Sequence, residues 1–104
     1  RLRAGQPTEA AALLAQAVAL NPDDPRARAN LGEAAMRIRS YEVARESFEK
    51  LVSLNYRVAE SHFNLGVLAE TRRDRDAARR HYQAALAANP KFDAAAKALS
   101  RIGR

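Results

Sequence analysis

A chain of 104 residues without cysteine has no disulfide staple or thiolate zinc site open to it, and none of its apolar runs approaches the roughly 20 residues that span a membrane. Hydrophobic residues make up 47% of the chain but only six are aromatic, so a core must come from many small contacts, most of them alanine. The net charge of +6 and the pI near 10.5 admit a nucleic acid, an acidic protein or an anionic surface as partner. No signal peptide is visible, and a chain that begins at Arg1 reads as a piece of a longer protein. Its wealth of alanine and arginine points to a GC-rich bacterial source. No compartment is specified.

In chain order, residues 1–4 read as the tail of a helix closed by Gly5. Residues 7–20 form the next helix, with Ala10, Leu13, Leu14, Ala17 and Val18 along one face. The segment Asn21-Pro22-Asp23-Asp24-Pro25 breaks it. Asp24 is placed to cap the following helix and Pro25 suits its first position. That helix runs over 25–39, with Ala27, Leu31, Ala34, Ala35 and Ile38 as its buried stripe. Ser40 is expected to cap a helix over 41–54, in which Tyr41, Ala44, Phe48, Leu51 and Val52 face inward and Glu46 supports Lys50 four residues on. After the turn Asn55-Tyr56-Arg57 comes a helix over 58–72, where Ser61, Leu65, Leu68 and Ala69 repeat the stripe. Asp74 caps the next, which buries Ala78, Tyr82, Ala85 and Leu86 and stops at Asn89-Pro90. A last helix over 92–102 packs through Ala95, Leu99 and Ile102. No segment carries a strand signal.

The elements repeat. Asn30-Leu31-Gly32 returns as Asn64-Leu65-Gly66, 34 residues later, and the same offset relates Ala10 to Ala44 and Ala78, Leu14 to Phe48 and Tyr82, and Asn21 to Asn55 and Asn89. A fixed period of this length marks an array of helix hairpins. At these residues the chain resembles the tetratricopeptide repeat: Leu31-Gly32, Ala44 and Phe48 match one copy, and Leu65-Gly66, Ala78, Tyr82 and Pro90 the next. Arg28 and His62 stand where the family has tryptophan, Ala35 and Ala69 where it has tyrosine, and Tyr56 replaces a turn proline. The resemblance implies an all-α, right-handed α-solenoid of antiparallel hairpins. Residues 1–104 would be one domain, with 1–24 the second helix of a preceding repeat, 25–58 and 59–92 full repeats, and 93–104 a capping helix. It also implies that Gly32 and Gly66 lie where two helices cross, with Ala44 and Ala78 facing them, and that Phe48 and Tyr82 fill the gaps between neighbouring hairpins.

No catalytic constellation or phosphate loop is present, so an enzyme is not expected, and neither is a cofactor or a metal. His62 and His81, 19 residues apart, read as a half-buried residue and an outer-face residue; Ser40, Ser47 and Ser53 read as a cap and surface groups. The resemblance implies a protein-interaction scaffold that holds a partner peptide in a concave groove lined by the first helix of each repeat. The implied groove residues are Arg26, Ala29, Asn30, Glu33, Met36 and Arg37, then Glu60, Phe63, Asn64, Val67, Glu70 and Thr71, with Lys97, Arg101 and Arg104 from the last helix. An apolar patch at Met36, Phe63 and Val67 beside a basic wall would suit a peptide with one apolar anchor and nearby acidic groups. The basic pair of the family's chaperone-carboxylate clamp is missing, since Glu60 and Asn64, or Ala94 and Ala98, occupy its places. Two alternatives remain open. The stripe of Leu13, Leu14 and Val18 would be uncovered and could bind a second copy. Nucleic-acid binding is disfavoured, because even the densest basic stretch, residues 72–80, mixes five arginines with two aspartates.

Overall fold

The computed structural model describes residues 7–102, which fold as α1 (Pro7–Leu20), α2 (Pro25–Arg37), α3 (Tyr41–Ser53), α4 (Val58–Thr71), α5 (Arg75–Ala88) and α6 (Asp93–Ile102). Every element among the described residues is a helix, as the alanine content and the 34-residue period require. The expected stub at residues 1–4, its closure at Gly5, and Arg104 lie outside the described residues. None of the described helices is long and apolar enough to cross a membrane.

The helix boundaries follow from local chemistry. Asp24 Oδ1 accepts the Arg26 amide at 3.0 Å and Asp74 Oδ1 the Ala77 amide at 3.1 Å, so both expected aspartate caps form. Ser40 occupies the N-cap position of α3 but its hydroxyl makes no cap bond. Its backbone lies at φ −85° and ψ 75°, outside the extended region an N-cap ordinarily uses. The Ser40 amide instead closes α2, donating to Ala35 O at 2.8 Å while Arg39 N donates to Met36 O at 3.1 Å. Asp74 and Arg73 make the same two bonds, to Ala69 O and Glu70 O, at the end of α4. These are Schellman closures, and each needs a left-handed residue, supplied by Arg39 (φ 63°) and Arg73 (φ 64°). They stop α2 at Arg37 and α4 at Thr71, slightly short of the expected 39 and 72.

The chain packs as two compact units, Arg1–Leu54 and Asn55–Arg104. In the first, α1 packs on α2 and α2 on α3; in the second, α4 packs on α5 and α5 on α6. Alanine lets the helices approach closely, and Ala35, Ala44, Ala69, Ala78, Ala85 and Ala95 are fully buried. The two repeated glycines are sites of contact. A Cβ on Gly32 would stand 3.0 Å from the Phe48 ring and 3.3 Å from Ser47 Cβ; one on Gly66 would stand 2.5 Å from the Tyr82 ring. Phe48 and Tyr82 therefore seat on glycine inside their own hairpins, and Tyr82 also joins Ala98 and Ile102 of α6 in one buried cluster, as a ring filling the gap between neighbouring hairpins would.

Four further residues depart from expectation. Ser47 is buried against Gly32 rather than on the surface. Tyr41, expected inward, is 40% exposed, and Val52 of the same stripe is half-buried, so the buried part of it is Ala44, Phe48 and Leu51. Val18, expected to be uncovered, is buried, whereas Leu13 (62% exposed) and Leu20 (88%) keep an apolar line open on α1. Lys50 turns from Glu46 to pair with Asp23 in the α1–α2 turn at 3.3 Å.

Candidate functional site

Three helices of the second unit surround a cavity of about 530 Å³, lined by Phe63, Val67 and Glu70 of α4, Tyr82 of α5, and Ala94, Lys97, Ala98 and Arg101 of α6. Spacings of three and four residues put each set on one face of its helix. Ala94 and Ala98 lack the bulk to fill the space between α4 and α6, and this leaves the cavity open. One wall is an aromatic cluster: Phe63 lies 5.5 Å from Tyr82 and 5.3 Å from Phe92 between ring centroids, both in tilted arrangements. Phe63 and Val67 are half-buried, so they support the core and still present surface to the cavity.

The rim is polar and internally paired. Glu70 accepts the Tyr82 hydroxyl at 2.7 Å and both terminal nitrogens of Arg101, at 2.9 and 3.0 Å. This bidentate fork fixes the carboxylate at the cavity edge. The hydrogen bonds from Arg101 hold the Glu70 carboxyl below its usual range, against the opposing effect of burial. Burial, reinforced by the Glu70 charge, pushes the Tyr82 phenol well up, so Tyr82 is a donor at any physiological pH. Lys97 pairs with Asp93 one turn earlier at 3.2 Å, with both side chains largely exposed. A second cavity, of about 400 Å³, lies against the far side of Arg101, with Glu70, Arg73, Arg75 and Ile102. There Arg75 reaches the Ile102 carbonyl at 3.4 Å, placing a cation at the C-terminal end of α6 as the helix dipole favours.

The cavity brings together five of the groove residues implied by sequence: Phe63, Val67, Glu70, Lys97 and Arg101. Glu60 and Thr71 are exposed and Asn64 is half-buried on α4, outside the cavity lining. In the first unit Arg26, Asn30, Glu33 and Arg37 are exposed along α2 and Met36 is half-buried. Ala29 is buried, so it belongs to the core and not to a groove. Sequence reasoning missed Tyr82, Ala94 and Ala98 as lining. Ala94 and Ala98 were legible only as an absence of side chains at clamp positions, and Tyr82 only as core. It also separated two residues that the fold joins: His62 on α4 and His81 on α5 face each other with their Nδ1 atoms 3.1 Å apart. Burial lowers the basicity of His62. His81 is therefore not a lone outer-face group.

Among the described residues no cluster of three or more His, Cys, Asp or Glu could hold a metal ion. Four of the described arginines form ion pairs: Arg45 with Glu42 and Glu49, Arg72 with Asp74, Arg79 with Asp76, and Arg101 with Glu70.

Comparison with known proteins agrees with this architecture. A family model described as "Tetratricopeptide repeat" matches residues 1–52 and again 33–91. No curated protein matches the chain. Among solved structures, one entitled "Crystal structure of MamA" superposes with a TM-score of 0.81 at 25% identity, over 88% of this chain and 53% of that one. The chain thus spans about half the length of that protein. With the 34-residue period, the glycine-seated hairpins and the family match all in one register, the chain belongs to the tetratricopeptide repeat family, whose helix hairpins are a protein-interaction scaffold.

Proposed function

We propose that the second unit holds a segment of a partner protein and seats one apolar side chain of it in the 530 Å³ cavity, without catalysis. The observation that carries this reading is the cavity's make-up: an apolar floor of Phe63, Val67, Ala94 and Ala98 under a rim of fixed polar groups. Ligand sites commonly combine an apolar lining with a few oriented polar atoms. The rim refines the partner's chemistry. Glu70 already occupies the Arg101 fork, so an acidic group on the peptide meets Lys97, whose exposed pairing with Asp93 is weak and screened by salt. The apolar anchor dominates and the acidic contact is secondary. In the first unit, Arg26, Asn30, Glu33, Met36 and Arg37 are the equivalent face.

A peptide-display selection in the presence of competing DNA tests the proposal. The wild-type chain is compared with Ala94→Glu, which fills the cavity from an exposed position, and with Phe63→Asp. Peptides sharing one apolar anchor should be enriched by the wild type and lost by both variants. Equal enrichment by all three proteins, or loss of all binding to DNA, would discard the cavity as the site.

A second reading rests on α1. Leu13 and Leu20, seven residues apart and strongly exposed, form an apolar line that a second copy would cover. Sedimentation should then show concentration-dependent association that Leu13→Lys with Leu20→Lys abolishes. A monomer at every concentration ends this reading.

A further inference from the structure

The juxtaposition of His62 and His81 is not used by the cavity. Both rings are half-buried on the α4–α5 hairpin, with centroids 5.3 Å apart and planes tilted by 32°. The same atom of each ring, Nδ1, points at the other across 3.1 Å. In the absence of a cation this is a hydrogen bond between two neutral imidazoles, one donating Nδ1–H and the other accepting. The distance suits a second state as well. Two imidazole nitrogens each about 2.0–2.1 Å from one ion, at angles of about 100–110°, stand about 3.1–3.4 Å apart.

We propose that His62 and His81 form a two-histidine site for a borderline divalent cation such as Zn²⁺, Ni²⁺ or Cu²⁺, with both Nδ1 atoms as ligands. Imidazole suits these ions, and loading requires that the donating ring move its proton to Nε2 and that both rings turn until their Nδ1 lone pairs converge on the ion. The two ligands are supplied by a rigid hairpin, since Ser61 and Leu65 beside His62, and Ala77, Ala78, Tyr82 and Ala85 around His81, are buried core. No third His, Cys, Asp or Glu joins them among the described residues, so water or a group from a bound partner completes the coordination sphere. Such a site clamps α4 to α5 when loaded and offers an open position to a donor from outside. The first hairpin has no counterpart, because its equivalent residues are Arg28 and Ser47.

The test uses the chain without a polyhistidine tag. Titration with ZnCl₂ and NiCl₂, followed by calorimetry and by imidazole ¹⁵N resonances, should show saturable one-to-one binding in which the Nδ1 signals of both rings shift together. His62→Gln and His81→Gln should each weaken binding about tenfold or more, because a chelate loses its intramolecular second contact. Absence of saturable binding up to millimolar metal would overturn the proposal and leave a hydrogen bond between the rings. So would a single variant that binds as tightly as the wild type, or wild-type spectra in which only one ring responds. The spectra of the wild type keep the test decisive even if a variant folds poorly.

Discussion

The hairpins α2–α3 and α4–α5 are built on one 34-residue template, yet they settle the same internal positions differently. In the first, Phe48 seats on Gly32, with Met36 one turn further along α2. In the second, Tyr82 seats on Gly66, and Glu70 stands where Met36 was. The second hairpin has both the hydroxyl and its acceptor, and the result is the Tyr82–Glu70–Arg101 network at the cavity rim. A second pair of equivalent positions differs in the same sense. Arg28 Nε and Ser47 Oγ of the first hairpin are buried and find no hydrogen-bond partner, while their counterparts His62 and His81 meet each other at 3.1 Å. The repeated apolar and glycine positions maintain the scaffold in both copies. The positions free to vary decide which copy carries polar chemistry, and here that is the second.

The largest expected effect lies at the glycines. Gly66→Ala puts a Cβ 2.5 Å from a Tyr82 ring that is buried and held by Glu70, so the ring cannot swing away. Overpacking of this kind should cost about 2–3 kcal/mol after the helix-propensity gain. Gly32→Ala meets Phe48 at 3.0 Å, with no hydroxyl tether, and should cost about 1 kcal/mol or less. Urea unfolding of both variants measures the difference; equal costs would mean that the tether at Tyr82 is irrelevant.

The polar pair can be exchanged between the two hairpins. Tyr82→Phe leaves Glu70 with one partner fewer and should cost about 1–2 kcal/mol. Phe48→Tyr aims a hydroxyl at Met36 and should destabilise the first hairpin, and Met36→Glu added to it should recover part of the loss. Coupling between Phe48→Tyr and Met36→Glu, read from a double-mutant cycle, is the measure. Independent, additive effects would show that more than this pair distinguishes the hairpins.

The unpaired hydroxyl of Ser47 predicts a change of opposite sign. Ser47→Ala keeps the Cβ that packs on Gly32 and removes a buried group without a partner, so it should stabilise by about 0.5–1 kcal/mol in thermal unfolding. The pH response is the smallest, because the rings are half-exposed. His62 is less basic folded than unfolded, so its neutral form favours folding; stability is held above the unfolded pKa near 6.5 and falls as the pH drops below it. His62→Asn should flatten that step. A further loss belongs to Glu70, whose depressed carboxyl pKa places it below the ordinary value of 4.5.

The sequence alone determined the helices, their register and the family, because those depend on residues three, four or 34 apart and on local caps such as Asp24 and Asp74. The resemblance also implied a groove at Phe63, Val67, Glu70, Lys97 and Arg101, and these five residues line the cavity. Sequence reasoning misjudged Ser40, Tyr41, Ser47, Ala29 and Val18, where a competing backbone bond or a neighbouring helix overrode the local preference. Contacts across helices came from the packing of the folded chain: Tyr82 with Glu70, Arg101 with the same carboxylate, His62 with His81, and the space that Ala94 and Ala98 leave unfilled. Each depends on how two helices cross and on side-chain reach at that crossing, and no one-dimensional spacing encodes either.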